Sequence, residues 1–248
     1  VPPHPEPGPM AVDDLRWSDG RSLQVSAWRG RHEVAVISPA PGRPTPTADA
    51  VRSTADRLAA QGVQRLLTGA LHPIEVPAFT DAGFAPHDHL HLLRHDLVGL
   101  PEATVPVRIR RAHRRDRAAV LELDERAFDE FWTLDARGLA DAVRATPTSR
   151  YRVATHGRGP VAGYAVTGLA SDRGYLQRLA VDPSEHRRGV GMALVADALR
   201  WLVRRGARSA VVNTQDGNAA ALALYTRCGF VLEPHGLTVL ARDLAAAR

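Results

Sequence analysis

The sequence contains no lysine. Its formal net charge of +5 therefore comes from 32 arginines, which are scattered among aspartates and glutamates. A nucleic-acid interface needs a patch or stripe of positive charge, so binding of DNA or RNA is not expected. The densest run, Arg108–Arg115, is interpreted as a solvated face where a strand ends and a helix begins.

Cysteine and long apolar runs are also scarce. The single cysteine, Cys228, cannot form a disulfide within the chain, which is typical of reducing compartments. No apolar run approaches the roughly 20 residues that a membrane-spanning helix needs. We therefore predict a cytoplasmic protein without membrane association, in which Cys228 is a buried packing residue. The proline-rich residues 1–10 lack the charged-then-apolar pattern of a signal sequence and are predicted to be a disordered tail.

Two common nucleotide-binding motifs are absent as well. There is no Gly-x-x-x-x-Gly-Lys-Ser/Thr loop and no Gly-x-Gly-x-x-Gly followed by an acidic residue on a second strand. What is present is a predicted strand at Tyr175–Val181, the loop Arg187-Arg188-Gly189-Val190-Gly191, and a helix that reaches about Arg205. Glycine permits a tight turn, and the first N–H groups of a helix carry partial positive charge. The segment therefore predicts a site for a phosphate or pyrophosphate.

This stretch resembles the acyl-CoA loop of the Gcn5-related N-acetyltransferases (GNAT), whose pattern is Gln/Arg-x-x-Gly-x-Gly/Ala after a strand. His186 stands at the first position, where the family has Arg or Gln. The family's later motif, Asn-x-x-Ala-x-x-Leu-Tyr and then Gly-Phe, is matched by Asn218, Ala221, Leu224, Tyr225, Gly229 and Phe230. The resemblance implies an α/β (α+β) fold with a mixed, mostly antiparallel sheet flanked by helices. It also implies an N-acetyltransferase that uses acetyl-CoA.

The same resemblance implies roles for individual residues. The diphosphate of acetyl-CoA would lie on the loop, and pantetheine would pair with the main chain of the preceding strand. The implied cofactor-binding residues are Leu179, Ala180, Val181, His186, Arg187, Arg188, Gly189, Val190, Gly191, Met192, Ala193, Asn218 and Tyr225. Tyr225 is predicted to be the catalytic acid, because a neutral phenol can donate a proton to the departing thiolate; a packing role is the alternative. Asn218 also suits a helix N-cap, and no metal site is expected.

The sequence leaves the general base open. Many relatives carry a glutamate where Gln177 stands, and a glutamine cannot take a proton. A distant carboxylate acting through water, or no dedicated base at all, are the alternatives. The acceptor-site candidates are Asp129, Glu130, Trp132 and Gln177, with Asp135 as a further carboxylate. Acids beside aromatic rings would suit a cationic acceptor, but solvated acids between two helices would give the same pattern.

The first hundred residues resemble the last hundred. Segments 62–97 and 206–244 each contain a glycine, a short strand, a helix, a Gly-Phe pair and a final strand ending in Asp-Leu. Phe79 matches Tyr225, His72 matches Asn218, and the proline-rich segment 39–46 replaces the arginine–glycine loop. Proline has no N–H to offer a phosphate. We predict an internal repeat whose first copy is a truncated, inactive GNAT-like lobe; an unrelated α/β segment is the alternative.

The predicted domains are the tail at 1–10, the degenerate lobe at 11–97, a linker at 98–106 that contains Gly and Pro, and a catalytic GNAT domain at 107–248. The expected activity is direct acetyl transfer from acetyl-CoA to a primary amine of a protein N-terminus, a lysine or a small molecule. A non-catalytic acyl-CoA-binding or regulatory module is the alternative. The sequence does not fix the acceptor, the acyl-chain preference or the oligomeric state.

Overall fold

The computed structural model describes residues 13–16, 20, 22–29, 31–40, 42–102, 105 and 107–244. The tail predicted at 1–10 lies outside the described residues. In chain order the elements are β1 (Asp13–Arg16), β2 (Ser22–Trp28), β3 (Arg31–Pro39), α1 (Ala48–Ala60), β4 (Arg65–Thr68), α2 (Val76–Thr80), β5 (Ala85–His95), β6 (Arg108–Arg111), α3 (Arg117–Ala127), α4 (Ala136–Arg144), β7 (Thr148–Thr155), β8 (Val161–Ala170), β9 (Arg173–Val181), α5 (Val190–Arg204), β10 (Ser209–Gln215), α6 (Ala219–Arg227), β11 (Val231–Leu232) and β12 (Leu237–Asp243).

The chain divides into two compact units. Unit 1 comprises residues 1–91 and 234–248, and unit 2 comprises residues 92–233. The sequence had assigned residues 234–248 to the C-terminal domain and placed the boundary at 98–106, whereas the boundary between the units falls inside β5. The reason is backbone pairing, because β12 pairs with β4 and with the unit 1 part of β5.

Unit 1 is a sheet in the order β1-β2-β3-β4-β12-β5. Its neighbouring strands are antiparallel except β3 and β4, which are parallel. Helix α1 begins after Thr47, whose hydroxyl accepts a hydrogen bond from the N–H of Ala50 at 3.2 Å. The buried core of this unit includes Leu23, Ile37, Val51, Leu66, Phe79 and Leu240.

Unit 2 contains the order β10-β9-β8-β7-β6, antiparallel except for the parallel pair β9 and β10. The end of β5 belongs to this unit and pairs with β11 through Leu93 and Arg94. Helices α3 and α4 pack on a cluster around Tyr164 and Val166. Helices α5 and α6 pack on another that includes Leu199, Val212 and Phe230. The predicted fold, a mixed and mostly antiparallel sheet flanked by helices, is confirmed.

Several local predictions are also confirmed. The strand expected at Tyr175–Val181 is β9, and the helix expected from Val190 is α5. Cys228 is buried, with 1% of its surface exposed. None of the helices in the described part of the chain is both long and apolar enough to cross a membrane.

The solvated face expected for Arg108–Arg115 is wrong at Arg110. The Arg110 guanidinium donates hydrogen bonds of 2.7 and 2.8 Å to the buried carboxylate of Asp116. These bonds lower the pKa of Asp116 to about 2. Arg110 thus fixes the start of α3 against β6.

In both units a side-chain N–H donates to a main-chain carbonyl at the end of the helix before the Gly-Phe pair. We call this hydrogen bond the helix-end brace. In unit 1 the Nη1 of Arg242 donates to the carbonyl of Ala82 at 2.8 Å. In unit 2 the Nε2 of buried His95 donates to the carbonyl of Cys228 at 3.0 Å, while its Nδ1 accepts from the N–H of Leu97 at 2.8 Å. His95 is therefore held as the neutral Nε2–H tautomer.

Candidate functional site

The loop between β9 and α5 is tied down by its own side chains. The Asp182 carboxylate accepts from the N–H and hydroxyl of Ser184 at 3.0 and 2.7 Å, and from Arg126 at 2.6 Å. Nε2 of His186 donates to the carbonyl of Val181 at 3.1 Å. At the position where the family has Arg or Gln, His186 thus closes the turn on the end of its own strand.

The start of α5 is open. Arg187 and Gly189 adopt left-handed conformations, with φ of 60° and 82°, and Gly189 is the N-cap without a side-chain cap. The first helical bond in this turn runs from the N–H of Ala193 to the carbonyl of Gly189. Within the described residues, the N–H groups from Gly189 to Met192 have no acceptor. Free N–H groups at a helix N-terminus, beside two exposed arginines, form an anion-binding cradle.

The two glycines of this loop have different physical roles. A Cβ on Gly189 would lie 2.5 Å from Cγ1 of Val105, on a backbone that L-residues rarely adopt. Gly191 is already helical, and a Cβ there would lie 2.9 Å from Cδ2 of Leu224 on α6. Gly189 therefore permits the turn, whereas Gly191 permits the close approach of α5 and α6.

Strands β9 and β10 diverge beside this loop. Their parallel pairs run from Arg173–Ser209 to Tyr175–Val211, and among the described residues no later pair follows. The second half of β9, which contains Leu179, Ala180 and Val181, therefore has an edge without strand partners on its β10 side. This separation, which we call the thioester gap, is where the sequence placed a pantetheine chain.

Tyr225 lies on α6 and is 5% exposed. Its ring centroid is 5.7 Å from that of Phe230. Burial raises the pKa of the Tyr225 phenol well above its usual value, the Cys228 thiol adds to the shift and the charge of Arg178 opposes it. The phenol is neutral near neutral pH and is a hydrogen-bond donor. Asn218 is the N-cap of the same helix, where its side chain accepts from the N–H of Ala221 at 3.0 Å.

The acceptor-site candidates fall into two groups. Exposed Asp129 accepts from the N–H of Trp132 at 3.1 Å, Glu130 is exposed, and the Trp132 ring meets Phe131 edge-on with centroids 5.1 Å apart. Gln177 lies on β9, where its Nε2 donates to the Thr146 hydroxyl at 3.3 Å. Its buried Oε1 has no hydrogen-bond partner among the described residues. Asp135 serves as the N-cap of α4 by accepting from the N–H of Gly138 at 2.7 Å.

Sequence reasoning missed a buried polar network in this region. Arg178 on β9 donates from Nε and Nη2 to Asp124 on α3 at 2.8 and 2.6 Å. Tyr164 on β8 donates to the same carboxylate. The two side chains of the ion pair are 11% and 0% exposed. A polar residue on the inward face of α3, flanked by Val120 and Leu123, was the available signal.

Comparison with known proteins agrees with this geometry. Residues 117–230 match the sequence model described as the Acetyltransferase (GNAT) family. This range begins with α3, contains the open loop and the Asn218 motif, and ends at Phe230. Residues 117–230 of the chain therefore resemble a GNAT domain.

Curated relatives cover parts of the chain. Over 72 residues, 29% of the chain, it is 38% identical to the ribosomal protein bS18-alanine N-acetyltransferase of Escherichia coli (strain K12), covering 49% of that protein. Over 131 residues, 47% of the chain, it is 33% identical to the mycothiol acetyltransferase of Amycolatopsis mediterranei (strain U-32), covering 43% of that protein. The chain thus spans about half the length of the curated relatives it matches.

Solved structures support the fold along the whole chain. A tandem GNAT protein from the clavulanic acid biosynthesis pathway aligns with a TM-score of 0.71 at 15% identity, covering 98% of this chain and 86% of that one. A GCN5-related N-acetyltransferase from Kribbella flavida aligns with a TM-score of 0.65 at 14% identity, covering 95% and 90%. At these identities the likeness concerns the fold.

Proposed function

We propose that the protein is an N-acetyltransferase that transfers the acetyl group of acetyl-CoA directly to a primary amine. The observation that carries the proposal is the open start of α5 beside the thioester gap. The cradle accepts an anion, and the free edge of β9 offers main-chain groups to an extended amide-containing chain. We further propose that unit 2 carries this activity, that unit 1 is an inactive GNAT-like lobe, and that the protein acts in the cytoplasm.

The residues present fit acetyl-CoA. The open turn depends on Gly189 and the close approach of α6 on Gly191, since a Cβ on either would meet a neighbouring side chain within 3 Å. The N–H groups of residues 189–192, with Arg187 and Arg188, would hold the diphosphate. Leu179, Ala180 and Val181 would pair with pantetheine through their main chain. Acetyl-CoA, when bound, supplies an acetyl thioester that an amine can attack.

Tyr225 would act where the thioester breaks. The amine nitrogen forms a bond to the acetyl carbon, the C–S bond breaks, and the sulfur leaves as a thiolate. A thiol has an ordinary pKa of about 8.5, below that of a buried phenol, so Tyr225 first stabilises the thiolate as a hydrogen-bond donor. Only a neutral amine can attack, so an ammonium acceptor first releases one proton to solvent, because Gln177 cannot accept it. The proton that the nitrogen loses after the C–N bond has formed passes to the thiolate and gives CoA as the free thiol.

We propose that the acceptor belongs to one of three classes: a protein N-terminal amine, a lysine side chain, or a small amine. The E. coli relative is described as an alanine N-acetyltransferase, and the Amycolatopsis relative as a mycothiol acetyltransferase. Asp124 cannot serve as a free base because Arg178, Tyr164 and the N–H of Leu134 already occupy it. An amine with a low pKa suits a site without a dedicated base.

The test combines binding with turnover. Calorimetry should show that acetyl-CoA binds, and CoA release should be measured with a peptide beginning with alanine, an N-terminally blocked lysine peptide and ethanolamine. Tyr225→Phe should lower kcat by at least about 10²-fold and leave acetyl-CoA affinity unchanged, since general acids contribute about 10²–10⁴-fold. Tyr175→Phe, the same change on half-buried β9, is the matched control. Binding without turnover on any amine would favour the acyl-CoA-binding module, and no binding would refute both.

A further inference from the structure

Arg178, which lies on β9 beside the thioester gap, makes several polar contacts with the described residues. Besides its two bonds to Asp124, its Nη2 donates to the carbonyl of Trp132 at 2.8 Å. Its guanidinium carbon lies 3.5 Å from the centroid of the Phe128 ring. A guanidinium can make these contacts together because it is planar and carries several fixed N–H donors.

Asp124 extends the same network to the segment after α3. Its Oδ1 accepts from the N–H of Leu134 at 2.6 Å as well as from Arg178. Between them, Asp124 and Arg178 therefore hold Phe128, Trp132 and Leu134. We call residues 128–134 the α3–α4 segment.

The position of Arg178 links this segment to the reacting centre. Arg178 is on β9 beyond Tyr175, the last residue of that strand that pairs with β10. Leu179, the next residue, begins the main-chain stretch proposed to hold pantetheine. The charge of Arg178 also lowers the pKa of Tyr225, against the larger effect of burial.

We propose that Arg178 is a positioning residue that, held by Asp124, anchors the α3–α4 segment beside the thioester gap and so sets the geometry of the amine-acceptor site. This rests on the proposed acetyltransferase function and deepens it. The proposed acceptor contacts at Asp129, Glu130 and Trp132 all belong to the anchored segment. Arg178 itself touches neither the amine nor the acetyl group.

This role predicts a separation between the two substrates. Loss of the anchor lets the α3–α4 segment move while the cradle at α5 is unchanged. The KM for the amine should rise and kcat should fall, whereas the affinity for acetyl-CoA stays the same. A misplacement near 1 Å is enough to cost on the order of 10²-fold in rate.

The experiment compares two buried arginine–aspartate pairs in unit 2. Arg178→Lys keeps the positive charge but cannot bond Asp124 through two nitrogens and also reach Trp132; Arg178→Met removes the charge. Arg150→Lys is the control, because Arg150 on β7 donates to Asp197 on α5 at 2.9 Å and both are largely buried. Arg150 does not contact the α3–α4 segment in the hydrogen bonds of the described residues.

The first readout needs no acceptor. In the full-length wild-type protein, the amide of Leu134 should exchange with solvent slowly, and Arg178→Lys should raise exchange across residues 129–134 by at least about tenfold, as local opening allows. Arg150→Lys should leave it unchanged. Fast exchange of this segment in the wild type, or unchanged exchange in Arg178→Lys, would overturn the proposal, and the wild-type result decides even where a variant does not fold.

The second readout is steady-state kinetics with acetyl-CoA and the peptide beginning with alanine. Arg178→Lys should raise the peptide KM at least about tenfold without changing the calorimetric Kd for acetyl-CoA, because only the acceptor side is displaced. A matching loss in Arg150→Lys, or a parallel loss of acetyl-CoA affinity, would instead mark Arg178 as a general stability residue. If the wild type transfers to no amine, the proposed function fails and hydrogen exchange alone decides the anchoring.

Discussion

The two units contain the same local order of elements: a strand, a loop, a helix and a parallel strand. They differ in how far the two strands pair and in how the helix is capped. In unit 1 all four residues of β4 pair with β3, so this pair of strands is closed along the length of β4. Thr47 caps α1 there with its hydroxyl. In unit 2 the pairing of β9 with β10 stops after three residues, and Gly189 leaves α5 without a side-chain cap.

This difference shows what distinguishes a binding site from a scaffold of the same topology. In unit 1, strand pairing along β4 and the Thr47 cap satisfy main-chain groups internally, which stabilises them and removes them as partners for a ligand. Unit 2 leaves the corresponding groups unsatisfied. The unit that we propose to be functional thus differs from the other by its missing internal hydrogen bonds rather than by additional side chains.

The largest expected effect comes from filling the open turn. Gly189→Ala places a Cβ in a left-handed conformation and against Val105, so acetyl-CoA affinity should fall by about tenfold or more, since each ~1.4 kcal/mol is tenfold. Gly42→Ala is the matched control, because Gly42 has φ of +69° in the corresponding loop of unit 1 with no atom near its Cβ position. Calorimetry on both should show weaker binding only for Gly189→Ala. Equal affinities in the two variants would contradict the proposal that the open turn at Gly189 binds acetyl-CoA.

A smaller effect is expected from the loop charges. Neutralising Arg187 and Arg188 to glutamine should weaken acetyl-CoA binding by about 2- to 5-fold and flatten its dependence on salt, since exposed charges contribute ~1 kcal/mol or less. Arg188 is bound to Glu185 at 3.3 Å, so part of its charge is already compensated. Arg43→Gln in the loop of unit 1 should change neither quantity. A salt dependence that stays as steep in the double variant would contradict the cradle.

Removing either N-cap side chain, Thr47 in unit 1 or Asn218 in unit 2, should lower stability to the same extent, but only one of the changes should weaken acetyl-CoA binding. Thr47→Ala and Asn218→Ala should each lower the free energy of unfolding by about 1 kcal/mol, because each leaves a helix N–H unsatisfied. Denaturant titration measures this loss. We expect weaker acetyl-CoA binding from Asn218→Ala alone. Equal affinity in both variants would assign Asn218 a capping role only.

The smallest effect concerns the helix-end brace of unit 2, because its side chain, His95, can take up a proton. Burial lowers the pKa of His95, partly offset by the bond to Cys228 and the charge of Asp96. The unfolded chain therefore binds the proton more readily than the folded one. The contribution of neutral His95 to the free energy of unfolding is complete above about pH 6.5 and is lost as the pH falls through the pKa of the folded state. Thermal midpoints of His95→Gln should depend less on pH below about 6.5 than those of the wild type; an identical slope would contradict the assignment.

Much of this organisation could be predicted from the sequence because it depends on local patterns. The helix after Gly189, the cap at Asn218 and the Gly-Phe turn follow from residues within one or two turns of each other. Arg178 and Asp124 escaped detection because they are 54 positions apart, and an arginine on a strand gives no sign of its partner. The assignment of β12 to unit 1 was missed for the same reason, since it depends on pairing with residues far away in the chain.

The division of β5 and β12 between the units has a consequence for truncation. Unit 1 includes β12 from the end of the chain, and unit 2 includes the end of β5 from its first half. A cut after Leu97 would therefore take His95 and Leu93 away from unit 2 and leave Cys228 and β11 without these partners. We expect that neither half of the chain, when it is expressed alone, folds as it does in the full-length protein.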